Sequence, residues 1–148
     1  MSLLTRFQNN KPKPAGTSLK ILSLGGIHVN KNMYVYETER DIIIVDCGLA
    51  FPHEDMPGID LIIPDVSYLL DKKEKIRGIF LTHGHEDHTG ALPFILPQIG
   101  KYPIYGTKLT LGLAQNKVNE ANITVDWHVI DTNQTVSLGD FQVNFVHV

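Results

Sequence analysis

The sequence predicts an α/β fold. Short apolar runs rich in β-branched residues alternate with segments that keep helical spacing, and Gly, Pro and Asp punctuate the joins between them. A cluster of histidines directly follows one of those runs, Ile79-Phe80-Leu81, as expected of a loop leaving the carboxyl end of a buried strand. With 148 residues and 43% hydrophobic content the chain is long enough for one core of ordinary size, so one domain or part of one is expected.

Three short strands open the fold, over 19–24, 33–38 and 41–45, with Glu39-Arg40 as a tight turn between the second and third. That is an antiparallel start. The segment 47–58 carries Pro52 and Pro57 beside Glu54 and Asp55, too polar and broken for an element, and, adjoining Asp46, it reads as a wall of a site. Residues 61–63 read as a short strand. Val66, Leu69 and Leu70 then keep helical spacing before the charged run Asp71-Lys72-Lys73-Glu74-Lys75, and 76–81 reads as a buried strand. A helix over 91–99 broken by Pro97, a strand over 103–105 and a helix over 107–119 capped by Thr107 follow. Strands over 123–130 and 141–148 close the sequence, separated by the turn-rich Asp131-Thr132-Asn133-Gln134 and the hairpin signal Leu138-Gly139-Asp140. The sum fits one half of an αββα sandwich, a sheet with helices on its outer face whose inner face must be buried on something absent from the sequence.

The formal charge of −3 supplies no global basic field, so it neither favours nor excludes a nucleic-acid partner. A lone cysteine, Cys47, cannot form an internal disulfide, and a reducing cytoplasm fits it. Its apolar strand-end context reads as a small buried residue rather than a nucleophile. Residues 1–18, with Arg6, Lys11 and Lys13 among Pro12, Pro14 and Gly16, read as a flexible basic tail. They contain no apolar run of leader length, and no membrane anchor is expected.

Function concentrates in Thr82-His83-Gly84-His85-Glu86-Asp87-His88. Imidazole nitrogen and carboxylate oxygen are the ligands that borderline divalent ions accept, and His-x-His-x-Asp-His offers four of them. Four specified positions of such residue types match by chance in about one in 10⁵ to 10⁶ windows, which sets aside an ordinary polar loop. Gly84 permits a tight path between His83 and His85, which can converge on one ion. Asp87 and His88 are adjacent, so their side chains need not face that ion. A second metal a few ångströms away is their natural use, and two metals make a clamp for displacement at phosphorus.

Val45-Asp46-Cys47-Gly48, then Phe80-Leu81 and the histidine cluster, then Gly90-Ala91-Leu92-Pro93 resemble the metallo-β-lactamase fold. The runs Asp46 to Pro52, Met56 to Asp65 and Tyr105 to Leu113 further resemble the amino-terminal part of the ribonuclease J family of β-CASP nucleases, over about residues 19–148. This implies a metallo-β-lactamase αββα sandwich, amino-terminal half only. It also implies a binuclear zinc site, with Mn²⁺ or Mg²⁺ as substitutes, that activates water against an RNA phosphodiester, from the 5′ end or internally, in RNA maturation and decay. By motif position His83 and His85 would bind one metal, and Asp87 and His88, as ligands and catalytic residues, the other. Asp46 would lie behind them, accepting a hydrogen bond from a ligand histidine. RNA is the implied partner, and a dimer or tetramer the implied assembly of the full-length protein.

Two departures bear on that resemblance. The family carries a Glu-Ile-Gly-Lys-Asn run after the first strand, whereas Gly25-Gly26-Ile27-His28-Val29-Asn30-Lys31-Asn32 is shorter and lacks the Glu and its following Gly. The family's next metal histidine is expected about two residues past Val148. His147 is a poor substitute, because Phe141, Val143, Phe145 and His147 alternate on one strand face. His28, His53 and His128 stand singly and read as surface or structural residues, with His53 in a loop that could approach the site. Two other functions stay open: a thioester or lactam hydrolase on the same fold, and an inactive fragment. The 148-residue chain alone is expected to lack nuclease activity.

Overall fold

The computed structural model describes residues 18–26 and 31–146. Residues 1–17 of the expected basic tail, together with His28 and His147, lie outside the described residues. Six strands form one sheet in sequence order: β1 (Lys20–Ser23), β2 (Tyr34–Glu37), β3 (Ile42–Val45), β4 (Ile76–Phe80), β5 (Ile104–Gly106) and β6 (Trp127–Val129). The first three pair antiparallel, and β3 through β6 pair parallel. In β3, Ile-Ile-Ile-Val is buried throughout, the continuous apolar run of a strand covered on both faces.

The two faces follow from the period-two alternation of side chains. One face carries Ile42, Ile44, Ile79, Leu81 and Ile104, and it buries the helices α1 (Ser67–Leu70), α3 (Leu92–Ile99) and α4 (Lys108–Glu120) through Leu69, Leu92, Ile95, Leu96, Leu111 and Val118. The other carries Ile43, Val45, Phe80 and Tyr105. Phe80 stacks on Tyr105 at 4.9 Å between ring centroids and meets Phe145 at 5.9 Å.

That second face corrects the sequence expectation, because the chain itself supplies part of its cover. A hairpin of β7 (Thr135–Leu138) and β8 (Phe141–Asn144) lays Phe141, Val143 and Phe145 across it, with Val136 and Leu138 alongside. Polar bonds fix the hairpin turn: Asp41 accepts from Arg77 Nε at 2.5 Å and from the Asp140 amide at 2.7 Å, while the Asp140 carboxylate bonds Arg40 and Thr38. The cover stops short of β1, where Ile21 remains exposed.

Three further expectations change. The helix α3 runs through Pro97 unbroken, since the one backbone bond the ring removes is outweighed by burial of Ile95, Leu96 and Ile99, and Gly100 at φ 113° ends it. Residues 61–63 form only a bridge, Ala50 with Ile62, between flanking prolines. The strand expected over 123–130 shrinks to Trp127–Val129, and Thr135–Leu138 forms a strand where the sequence pattern shows only a turn-rich connection. The Thr107 cap is as expected, its hydroxyl accepting from the Thr110 amide.

Candidate metal centre

Because β3 and β4 are parallel, their carboxyl ends open on the same edge of the sheet. Asp46 follows one and Thr82-His83 the other. Asp46 takes a left-handed backbone conformation, φ 61°, which Asp tolerates better than most residues, and its side chain turns inward to 3% exposure. There it accepts from the Thr82 amide at 2.8 Å, from the Thr82 hydroxyl at 2.8 and 3.0 Å, and from His88 Nδ1 at 2.7 Å.

The histidine loop ends in α2 (Glu86–Thr89), a single turn with no side-chain cap. Backbone bonds from the segment after β3 hold it, Cys47 N to His88 O at 2.7 Å and Leu49 N to Glu86 O at 3.1 Å. Gly48 lies so close to it that a Cβ there would collide with the Asp87 carbonyl and the His88 amide. On the other side Asn32 N donates to Asp87 O at 2.8 Å, and Asn32 Nδ2 lies 3.2 Å from Asp87 Oδ2 and 3.1 Å from His88 Nε2.

Three imidazoles gather in this frame. The His83 ring centroid is 3.9 Å from that of His88 and 4.7 Å from that of His85, and Asp87 Oδ2 is 3.3 Å from His88 Nε2. Burial, followed by the neighbouring His88 and His85, holds the His83 imidazole below its ordinary pKa. A neutral ring is the form that binds metal. For His88, burial works in the same direction, but the bond to Asp46 and the charges of Asp46 and Asp87 outweigh it and raise the pKa. The same bond engages Nδ1, so Nε2 is the accepting nitrogen, with Asn32 Nδ2 at 3.1 Å as its donor in this structure.

The donor set fits a divalent ion in chemistry: borderline imidazole nitrogens and one carboxylate, with a second, buried carboxylate behind the His88 ring. Among the described residues no three His, Cys, Asp or Glu side chains already surround a single point. A two-and-two split between neighbouring ions requires no such triplet.

The sequence brought forward His83, His85, Asp87, His88 and Asp46, and the fold gathers all five. It missed Asn32, which bridges Asp87 and His88, and the part played by Thr82; the Lys31-Asn32 pair surviving in the shortened loop was the available signal. Cys47 is fully buried, and burial followed by the Asp46 charge pushes its thiol pKa well up, so it is inert. His53 is exposed. His128 bonds Asp126 at 2.8 Å and stacks on Tyr105 at 4.8 Å. No helix among the described residues is long and apolar enough to cross a membrane.

Comparison with known proteins agrees with this architecture. The family model of the metallo-beta-lactamase superfamily matches residues 27–142. Ribonuclease J 2 of Staphylococcus aureus (strain MRSA252) is 38% identical over 136 residues, 90% of this chain and 24% of that protein. Ribonuclease J of Helicobacter pylori (strain ATCC 700392 / 26695) is 39% identical over 135 residues, 88% of this chain and 19% of that protein. The chain thus spans a quarter or less of the length of these relatives. A crystal structure of a protein of unknown function from Enterococcus faecalis V583 shares the fold, with a TM-score of 0.55 at 15% identity over 84% of this chain and 36% of that one. Membership of the superfamily implies a divalent metal. The chain therefore belongs to the metallo-β-lactamase superfamily and resembles, within it, a stretch of ribonuclease J.

Proposed function

We propose that this chain carries part of the metal centre of a ribonuclease, the amino-terminal part of a longer enzyme that hydrolyses RNA phosphodiesters by stepwise 5′ to 3′ removal, internal cleavage or both. The observation that carries the reading is the convergence of His83, His85 and His88 at the shared end of β3 and β4, with Asp46 fixing the His88 ring. The names of the relatives support RNA as the substrate.

His83 and His85 would hold one ion, Asp87 and His88 the other. Two divalent ions, zinc with manganese or magnesium as substitutes, would lower the pKa of a water toward 7 and neutralise charge developing on the phosphate. The residues supply the rest. Asp46 accepts a hydrogen bond from His88 Nδ1, so the ring presents Nε2, and its charge would strengthen that nitrogen as a metal ligand. Asn32 orients the Asp87 carboxylate. Thr82 spends its amide and hydroxyl on Asp46, holding that carboxylate against rotation.

Four ligands from this chain leave two ions incompletely held, so the 148 residues alone bind metal weakly and lack nuclease activity. The longer protein would act in the cytoplasm as a dimer or tetramer. The test compares a metal-stripped preparation of the longer protein with its zinc- and manganese-loaded forms on 5′-monophosphorylated RNA, with a thioester in parallel. Metal-dependent RNA cleavage is expected; equal cleavage without metal, or turnover of the thioester alone, contradicts it.

A further inference from the structure

The single turn α2 carries two of the four candidate ligands yet has neither the length nor the cap to hold itself. One side of it is fixed by the backbone bonds from Cys47 and Leu49. The other side faces α4. The Glu86 carboxylate, between His85 and Asp87, forms an ion pair with Lys117 Nζ. One turn earlier on the same helix face, Leu113 lies over Gly84, where any Cβ would collide with its Cδ1. The adjoining face of α4 is buried at Thr110, Leu111, Ala114 and Val118, the last three within the core.

We propose that Lys117 and Leu113 are positioning residues that brace the metal loop from α4, holding His85 and Asp87 in place through Glu86 and Gly84. The inference rests on the metal reading above. A core-anchored helix touching the loop at two points spaced four residues apart limits both sliding and rotation of α2. Glu86 is suited to transmit this, since its carbonyl also accepts from Leu49 N and from Gly90 N at 2.9 Å. A side chain at Gly84 would displace the tip of Leu113, which is 45% exposed, from this contact.

The test uses the 148-residue chain with Lys117→Met, Lys117→Arg, Leu113→Ala and, as a control on the same helix, Lys108→Met. Amide hydrogen exchange over residues 84–90 is compared with that of β4, and cobalt(II) is titrated by its visible absorption. A half-exposed ion pair is worth roughly a two- to fivefold effect. Lys117→Met should accelerate loop exchange and weaken cobalt binding by about that factor with β4 unchanged, Leu113→Ala should do the same, Lys117→Arg should restore both, and Lys108→Met should leave both alone. Unchanged loop exchange in Lys117→Met and Leu113→Ala, or equal acceleration in β4, overturns the proposal. Failure of the metal reading looks different: cobalt then binds neither wild type nor variants, while exchange still decides whether α4 braces the loop.

Discussion

Asp46 Oδ2 lies 2.7 Å from His88 Nδ1, which joins the residue leaving β3 to the last member of the histidine cluster across 42 positions of sequence. The bond aligns the His88 ring and fixes which nitrogen is free. Replacing Asp46 by Asn keeps the shape and tolerates the left-handed backbone but removes the charge. Asp46→Asn is expected to weaken metal binding about 10- to 100-fold, as loss of such supporting carboxylates does elsewhere. Titration of zinc into wild type and variant checks this.

Gly48 is required where it is because the Asp87 carbonyl and His88 amide occupy the space a side chain would take. Gly48→Ala should therefore push α2 away from the β3 loop and destabilise the fold by about 1–3 kcal/mol. Urea unfolding measures the loss. Unaltered stability would mean that the loop yields without cost.

Glu37, 4% exposed, bonds Tyr68 and accepts from Lys72 Nζ at 2.9 and 3.1 Å. Burial alone would raise its carboxyl pKa, but these partners outweigh it and the net shift is downward. A depressed folded value means that the stabilisation is present above the ordinary carboxylate pKa and is lost as pH falls through the folded one. Stability should decline with acid below about pH 4.3, and Glu37→Gln should flatten that part of the profile. Lys72→Met should cost roughly 1.5–3 kcal/mol at neutral pH.

Much of the fold was legible because it rests on local periodicity. The isoleucine run of β3, the Ile95-Leu96-Ile99 stripe of α3 and the Thr107 cap announce themselves within a few residues. Features depending on distant partners did not. The strand β7 alternates Thr, Val, Ser and Leu over only four positions, and it becomes a strand because β8 pairs with it and both cover Phe80. Pro97 signals a break locally, yet the burial around it decides otherwise. At the site, ligand chemistry could be read from spacing, whereas Asn32 reaches its partners over 55 and 56 positions and Glu86 meets Lys117 over 31.

Where the hairpin side covers the sheet, Phe145 meets Phe80, whose ring stacks on Tyr105 within the sheet. Phe80→Ala is expected to cost about 3–5 kcal/mol. Hydrogen exchange should show β7 and β8 losing protection before β3 does; simultaneous loss would mean that the hairpin and sheet form one inseparable unit.

Divalent metal is expected to bind at the histidine cluster. The most direct measurement is amide and imidazole NMR of the 148-residue chain during zinc titration. Weak, saturable shifts are expected, concentrated at His83, His85, Asp87 and His88, extending to Asp46 and Asn32 and abolished by His83→Ala combined with His88→Ala. Shifts of equal size at the exposed His53 and at His128, or shifts that persist in the double variant, would contradict it.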